Sequence, residues 1–361
     1  MLNKQGEKKR EWNFDLNTGN DVELLDNGKL MAMFRSPNTA FSFGGFGGVL
    51  KVINPDGTTD WEMTYADENK LAHHDFERLP NGNFLLIAWE KVSADVAQQN
   101  GANTQNPIYP ETIVEINPAT MQVVWEWHSF DHIVQDHDST KDNFGVVANN
   151  PQLININYQM AENGNIMHAN GIDYDAQRDV IYLSVNFFSE VWVIDHSTTT
   201  AQAASHSGGN YNKGGDLLYR FGNPEAYNNT HGTRMFYSVH HPNLLGTNVP
   251  GSGNILIYNN GSNISQSKVY ELKMPTTFNL LPNTNNEPQV IWSFTDPELF
   301  YDRVSGAVRL KNGNTLICEG GYGFWEVAPD GTVVWKYKGE VPFWRVYGIE
   351  KNSPGIQALG L

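Results

Sequence analysis

The sequence contains one cysteine, Cys318, among its 361 residues. A single cysteine cannot form an intrachain disulfide, which excludes the framework of a small disulfide-rich protein. Its neighbours in "NTLICEGG" are typical of a buried strand, so we interpret the thiol as a core residue rather than a nucleophile. The chain also lacks an apolar run of the ~18 residues that a membrane-spanning helix needs. We therefore predict no membrane insertion.

Basic residues are scarce. The chain has 24 Lys and Arg against 40 Asp and Glu, a formal net charge of −16. Such a charge repels a phosphate backbone, so we predict no nucleic-acid partner. To bind an anionic small molecule, the protein would need positively charged or hydrogen-bond-donating groups inside a pocket. The opening residues, "MLNKQGEKKREW", lack the apolar centre of a signal peptide, so an exported protein would have lost its leader.

Helical periodicity is also missing over any long stretch, whereas a short β-like pattern recurs. An apolar pair is followed by an aromatic residue and an alternating tail, as in "QVVWEWHS" and "TVVWKYKG". Several units also contain an Asn-Gly hairpin, as in "LPNGN" and "LKNGN". The repeats predict one domain over residues 1–361, a six-bladed β-propeller with long inserted loops on one face. The six aromatic anchors are Trp12, Trp61, Trp125, Tyr219, Trp292 and Trp335.

Aligning the repeats on their hairpins brings three histidines to one position. His74 lies five residues before the hairpin leucine of its unit, and His168 and His241 precede the equivalent strands of the next two units. The same position holds Asn20 in the first unit and Ser305 in the fifth. This position lies on the innermost strand of a blade, and the innermost strands converge on the central channel. We therefore predict that the three histidines share one axial pocket.

Side chains alternate between the two faces of a strand, so only one member of each histidine pair can point inward. We assign His73 and His240 to packing between blades. The remaining histidines lie in polar loop sequences and are predicted to be surface residues. They are His128, His132, His137, His196, His206 and His231.

The same segments carry a family resemblance. The segments "HHDFERLPNGNFLLI", "MHANGIDYD", "FYSVHHPNLL" and "SGAVRLKNGNTLICEGGYGFWEV" resemble the bacterial arylsulfotransferases over nearly the whole chain. The resemblance implies a six-bladed propeller that moves a sulfuryl group from a phenolic sulfate ester to a phenol, without a nucleotide sulfate donor, a cofactor or a metal. It further implies that His241 is the nucleophile, that a sulfohistidine forms, and that the protein is periplasmic or secreted.

The resemblance also gives roles to other residues. His74 and His168 match two further axial histidines of the family, and Asn170 matches an asparagine of its site. A neutral imidazole of His241 would attack sulfur, and a protonated His74 or His168 would donate to the departing oxygen. Asn170 and Ser305 would donate to the sulfuryl oxygens. Candidates for a phenol slot are Phe41, Phe43, Phe46, Tyr109, Phe187, Phe188, Tyr301 and Tyr322.

One position departs from the family. Asn186 stands where the family has an arginine that contacts the sulfuryl group, so a charge-assisted contact is lost. Another arginine could supply it, and the candidates are Arg303, Arg345 and Arg35. Otherwise the donor substrate differs.

Two other functions are compatible with the pattern. Three axial histidines could hold a divalent metal, as in propeller lyases that cleave acidic polysaccharides. The propeller could also be a non-catalytic interaction platform. Under the sulfotransferase interpretation, the partners are a small phenolic sulfate donor and a phenol acceptor.

Overall fold

The structure is a computed structural model that describes residues 1–361 except 38, 40 and 341. Its first sheet comprises β1 (Thr18–Leu24), β2 (Leu30–Arg35), β3 (Gly48–Ile53) and β4 (Thr59–Thr64). The second comprises β5 (Lys70–Arg78), β6 (Phe84–Glu90), β7 (Glu111–Asn117) and β8 (Gln122–His128). A small parallel pair follows, β9 (Ile133–Val134) and β10 (Ile154–Asn155).

The third sheet comprises β11 (Ala169–Asp175), β12 (Val180–Val185), β13 (Glu190–Asp195) and β14 (Tyr219–Phe221). The fourth comprises β15 (Val239–Leu244), β16 (Asn254–Asn259), β17 (Lys268–Lys273) and β18 (Gln289–Phe294). The fifth comprises β19 (Gly306–Arg309), β20 (Thr315–Glu319), β21 (Gly323–Val327) and β22 (Val333–Lys338). Three short helices are α1 (Ala94–Gln99), α2 (Thr200–Ala203) and α3 (Pro354–Ala358).

The five sheets are the blades of a β-propeller. Each is an antiparallel meander, and the first strands β1, β5, β11, β15 and β19 lie next to one another in that order, so they surround the axis. The predicted Asn-Gly hairpins are confirmed: Gly28, Gly82 and Gly313 join the first two strands of their sheets with φ of 80°, 89° and 89°. Positive φ favours glycine at such turns.

The prediction of six blades was wrong, because one aromatic anchor does not belong to a sheet. Five of the anchors lie on the outermost strands β4, β8, β14, β18 and β22. Trp12 lies in a segment that forms no strand among the described residues 1–17, and it packs instead against the buried cluster of the first sheet that includes Leu30 and Phe34. An anchor therefore marks a surface for aromatic packing, not necessarily a blade.

The inserted loops also differ from the prediction. In a four-stranded meander, the connection between the second and third strands leaves one end of the sheet, and that between the third and fourth strands leaves the other. Residues 91–110 form the first kind of connection in the second sheet, and residues 196–218 form the second kind in the third sheet. The insertions are therefore not confined to one face.

The two terminal segments join the fifth sheet to the first. Trp335 donates its indole N–H to the Lys4 carbonyl at 2.8 Å, which holds the N-terminal segment against β22. The C-terminal segment starts at the fifth sheet, where Ser305 donates its backbone N–H to the Trp344 carbonyl at 3.1 Å. It reaches the first sheet where the Tyr347 hydroxyl donates to Asp21 of β1. Residues 343–349 therefore pass close to the axis.

Candidate active site

The three predicted histidines share an unusual backbone conformation. His74 and His241 lie in β5 and β15, His168 immediately precedes β11, and their φ angles are 57°, 56° and 57° for His74, His168 and His241. Ser305 immediately precedes β19 and has a φ of 84°. Left-handed backbone is uncommon outside glycine and costs of order 1 kcal/mol or more, and such residues are concentrated at functional sites. Asn20, at the predicted fifth position, is half-buried in β1 and is not among the residues with positive φ.

The axial side chains surround Trp344, a residue that the sequence patterns did not single out. The imidazole rings of His74 and His168 lie edge to face with centroids 4.8 Å apart. The Trp344 ring is 5.4 Å from the His74 ring and 5.8 Å from the His240 ring. Phe187 stacks on His168 at 4.8 Å. The cluster therefore combines several imidazoles with two aromatic surfaces.

His241 and His240 have different surroundings. Nδ1 of His241 accepts a long hydrogen bond of 3.3 Å from the backbone N–H of Ala307, so this ring lies against β19. Nδ1 of His240 is 2.7 Å from Oδ1 of Asn260. The Asn260 amide nitrogen donates to the carbonyls of Tyr301 and Val304, so its oxygen is the acceptor and His240 carries its proton on Nδ1. Both histidines are buried, and it is His240 whose ring contacts Trp344.

A hydrogen-bonded chain leads from His74 to a buried carboxyl group. Nδ1 of His74 is 2.7 Å from Nδ1 of His73, and Nε2 of His73 is 2.9 Å from Oε2 of Glu111. The other oxygen of Glu111 accepts from the Trp89 indole at 3.1 Å and from the backbone N–H of Ala169 at 2.7 Å. His73 also stacks on Trp89 at 3.6 Å, which fixes its ring. If the proton in each of these two hydrogen bonds moves from its donor to its acceptor, one proton is transferred between Glu111 and His74 through His73.

Burial determines the charge of the cluster. It lowers the pKa of His168 and of His240 to about 3 and lowers the pKa of His74 and of His241 well below the ordinary value. The nearby Arg345 guanidinium contributes to the lowering at His241. Burial also raises the pKa of Glu111 well above its usual range. The imidazoles are therefore neutral at pH 7, which does not agree with the expected protonated His74 or His168.

The predicted amide and hydroxyl donors are engaged with the protein. Asn170 donates to the Val239 carbonyl at 2.8 Å and accepts from the Ser184 hydroxyl at 2.6 Å. Asn186 donates to the same carbonyl at 3.4 Å. The Ser305 hydroxyl donates to the Arg303 carbonyl at 3.2 Å and accepts from the Gly320 N–H at 3.1 Å. The two asparagines hold the third blade to the fourth, whereas Ser305 bonds within the fifth blade and the loop before it. All three groups would have to exchange partners to bind a substrate.

Of the candidate arginines, Arg345 reaches the axis. The Arg303 side chain is 76% exposed, and Arg35 is an exposed residue whose guanidinium lies 4.1 Å above the Phe46 ring. Arg345, 4% exposed, forms two parallel hydrogen bonds of 2.7 and 2.8 Å with Asp75. Its Nε, like the indole nitrogen of Trp344, is buried and has no hydrogen-bond partner among the residues that the structure describes. Buried donors without partners are rare, so these two N–H groups are candidates for binding an anion.

Carboxylates surround the same guanidinium. Asp21 lies 3.6 Å from Arg345, and burial together with the charge of Asp75 raises the pKa of Asp21 to about 8. Burial likewise raises the pKa of Asp173 to about 7. Asp75 also accepts from the backbone N–H of Ile172 at 2.8 Å, so it bridges the second and third blades. The Arg345 guanidinium therefore lies near several carboxyl groups, and its closest ion pair is with Asp75.

Other features lie away from the axis. A recess of about 500 Å³ on the fourth sheet is lined by residues that include Arg234, Lys268 and Glu287, and the axial histidines are not part of it. We place the site at the axis because the unpaired donors and neutral imidazoles meet there. In the part of the chain that the structure describes, the one group of three metal-ligating side chains that converge is also elsewhere. This geometry does not favour the axial metal site of the lyase interpretation.

Comparison with known proteins identifies the family. Residues 5–341 match the sequence profile described as Arylsulfotransferase (ASST). The chain belongs to the arylsulfotransferase family. The resemblance inferred from the histidine segments is thereby confirmed, and family membership implies a sulfotransferase-type enzyme with small phenolic substrates. No curated protein sequence matches this arylsulfotransferase. Among its described residues, no helix is both long and apolar enough to cross a membrane.

Three solved structures show a distant similarity to this arylsulfotransferase. The β-propeller domain of Cps50 (Swd1) from Myceliophteria thermophila is 9% identical, with a TM-score of 0.44 over 91% of this chain and 88% of that one. A putative 6-phosphogluconolactonase from Bacteroides uniformis is 10% identical, with a TM-score of 0.41 over 90% and 71%. Hydrazine synthase from Kuenenia stuttgartiensis is 13% identical, with a TM-score of 0.36 over 68% and 56%. We draw no functional argument from these similarities.

Proposed function

We propose that this arylsulfotransferase moves a sulfuryl group from a phenolic sulfate ester to a phenol through a sulfohistidine, without a nucleotide sulfate donor. The observation that carries the proposal is the meeting of neutral, buried imidazoles with the unpaired N–H groups of Trp344 and Arg345 at the axis. A neutral imidazole is the nucleophilic form, and N–H donors suit the oxygens of a sulfate ester. Export to the periplasm or the exterior belongs to the same proposal.

His241 is the proposed nucleophile, attacking sulfur through Nε2. This requires the tautomer with the proton on Nδ1, in which the hydrogen bond from Ala307 is lost. A hydrogen bond contributes about 1 kcal/mol net, and this one is long at 3.3 Å. That cost is small beside the ~8 kcal/mol or more by which enzymes lower reaction barriers. As the S–N bond forms, the bond from sulfur to the phenolic oxygen breaks and the phenolate leaves.

His74 is the proposed acid–base group of the second half-reaction. The acceptor phenol gives its proton to Nε2 of His74 while its oxygen attacks the sulfuryl group on His241. The Nδ1 proton of His74 passes to His73, and the Nε2 proton of His73 passes to Glu111. Burial raises the pKa of Glu111, so in the free enzyme it holds a proton, and the same relay run in reverse gives that proton to the departing phenolate in the first half-reaction. The Glu111 carboxylate then takes the proton of the acceptor phenol, so His74 does not have to remain an imidazolium in a site that disfavours one.

The sulfuryl oxygens are proposed to accept from Trp344 Nε1 and Arg345 Nε. These donors take the place of the family arginine that is absent at Asn186. Phe187, stacked on His168, provides one wall for the aromatic ring of the substrate. Arg345 stays paired with Asp75 through its two terminal nitrogens, so the guanidinium is held in place before substrate binds.

The test is incubation with 4-nitrophenyl sulfate, with and without phenol, followed by intact-protein mass measurement and peptide mapping. The donor alone should leave a sulfuryl adduct on His241, phenol should remove it, and two-substrate kinetics should be ping-pong. His241→Ala should lose adduct and transfer together by about a thousandfold, since the nucleophile is removed.

His240→Ala is the matched control, because the adjacent histidine is equally buried. It should still form the adduct. An adduct that maps to residue 240, or full transfer by His241→Ala, would overturn the assignment of the nucleophile. Activity that follows added metal and is lost with a chelator would favour the lyase interpretation, and failure of any small anion to bind would favour the platform.

A further inference from the structure

A second cluster of potential ligands lies between the second and third blades, apart from the axis. It consists of His132, at the end of the 3-10 helix Ser129–His132 that follows β8, and His206 and Asp216 of the connection between β13 and β14. Nδ1 of His132 is 2.9 Å and Nδ1 of His206 is 2.7 Å from Oδ1 of Asp216. One donor atom from each of the three residues lies within 4.8 Å of the others.

His132 departs from the expectation of a surface residue, since it is fully buried. Its Nε2 lies 2.7 Å from the Ala203 carbonyl, which can only accept, so the ring proton belongs on Nε2. In the neutral ring, Nδ1 then presents a lone pair toward the Asp216 carboxylate, which also presents lone pairs. A cation between them would satisfy both groups.

The surroundings match those of a metal-ligating histidine. Such residues usually donate their second ring N–H to a carbonyl or carboxylate, which fixes the tautomer and the ring, and Ala203 has this position here. His132 also stacks on Trp127 with an interplanar angle of 3°, and the Trp127 indole donates to the carbonyl of Gly215 at 2.7 Å. The buried ligand and the residue preceding Asp216 are thereby held together. The His206 side chain is 63% exposed and gives an ion access from solvent.

We propose that His132, His206 and Asp216 bind a Zn²⁺ ion. Two imidazole nitrogens and one carboxylate oxygen are a ligand set that zinc accepts in a tetrahedral site, with water in the fourth position. The present spacings to Oδ1, 2.9 Å from His132 and 2.7 Å from His206, are those of hydrogen bonds, whereas ligand atoms on one tetrahedral zinc lie about 3.3 Å apart. Binding therefore requires a shift of a few tenths of an ångström by the exposed His206 side chain and by the Asp216 carboxyl group. The ion would fasten the end of the second blade to the long connection of the third.

The test is isothermal titration of chelator-dialysed protein with ZnCl₂ alone. We expect one ion per chain, with the affinity reduced at least tenfold in His206→Gln and in Asp216→Asn, because each removes one of three ligands. His137→Gln, which changes an exposed loop histidine outside the cluster, is the control and should bind as the wild type does. Zn²⁺ should also raise the melting temperature of the wild type by more than that of His206→Gln at the same zinc concentration.

Absence of binding would overturn the proposal. Binding that His206→Gln leaves intact would do the same, because it would show zinc held by unrelated surface groups. Since the cluster is separate from the axial site, sulfuryl transfer can be measured on the same samples. Loss of transfer in all of them, with zinc binding retained, would count against the proposed function and not against the zinc site.

Discussion

Replacing Arg345 by methionine should destabilise the protein strongly. The substitution keeps an extended side chain of similar length but removes the cation that pairs with Asp75, whose exposed fraction is 1%. Removing one partner of a buried ion pair typically costs 3–5 kcal/mol, because the other charge is left without compensation. Breaking this pair should therefore lower the free energy of unfolding much more than breaking an exposed ion pair, which is worth about 0–1 kcal/mol.

The remaining contacts of Asp75 set the expected value within this range. After the substitution, Asp75 still accepts from the backbone N–H groups of Phe76 at 3.1 Å and Ile172 at 2.8 Å. Two of four hydrogen bonds to the carboxylate are thus retained, so we expect a loss near the lower limit, about 3 kcal/mol. Arg345→Lys keeps the charge and loses the bidentate geometry, and it should cost less.

The assay is equilibrium urea denaturation at pH 7, followed by tryptophan fluorescence. The single variants Arg345→Met and Asp75→Asn and the double variant complete a thermodynamic cycle. The loss of unfolding free energy in the double variant should be about 2 kcal/mol smaller than the sum of the losses in the two single variants. A loss below about 1 kcal/mol in Arg345→Met, the value of a surface pair, would refute the reasoning.

Four further predictions concern charge and proton transfer. Burial raises the folded-state pKa of Asp21 to about 8 from an ordinary value of 3.8, so its stabilising contribution is complete below pH 4 and is lost as the pH rises toward 8. The free energy of unfolding should fall by at most about 1.4 kcal/mol per pH unit over this range. Urea titrations of Asp21→Asn should not show this fall. Because burial lowers the pKa of His241 well below 6.5, adduct formation should stay constant from pH 8 down to pH 5, and a fall in the single-turnover rate near pH 6.5 would contradict this. Trp344→Phe keeps the aromatic ring and loses the N–H, so adduct formation should slow about 10- to 100-fold with an unchanged urea midpoint; an unchanged rate would remove Trp344 from the site. Glu111→Gln should slow transfer to phenol about a hundredfold and spare adduct formation from 4-nitrophenyl sulfate, whose leaving group needs little proton transfer; equal slowing of both half-reactions would indicate a structural role.

The sequence predicted the features that repeat. Outer-strand aromatics recur once per blade and Asn-Gly turns occur in three of the five blades, so the repeat was visible without a structure. His74 was found by its distance from such a turn, and His168 and His241 by their position before the equivalent strands; their shared left-handed backbone is consistent with that alignment. The blade count failed at Trp12, because an aromatic residue that packs on a neighbouring sheet has the same local pattern as one on an outer strand.

The groups that complete the site do not repeat. Trp344 and Arg345 lie in an irregular segment after the last blade, where no period gives their position. Glu111 lies on the third strand of its sheet, 38 residues from His73, and its role depends on a contact that only the folded sheet creates. The burial of His132 has the same origin, since Ala203 and Asp216, which contact its ring nitrogens, belong to the segment of another blade.

The C-terminal segment, residues 343–349, affects the order in which the protein folds. Each blade is formed by neighbouring strands, so its contacts are local and can form early, whereas the pair between Arg345 and Asp75 joins residues 270 positions apart. Contacts of such separation form late, because the chain between them must first be ordered. A refolding chain should therefore acquire its sheets before its activity, and pulsed hydrogen exchange should protect the amides of β5 and β6 before that of Ser305, which bonds to Trp344. The reactive histidines would then be kept open to solvent until the last step of assembly.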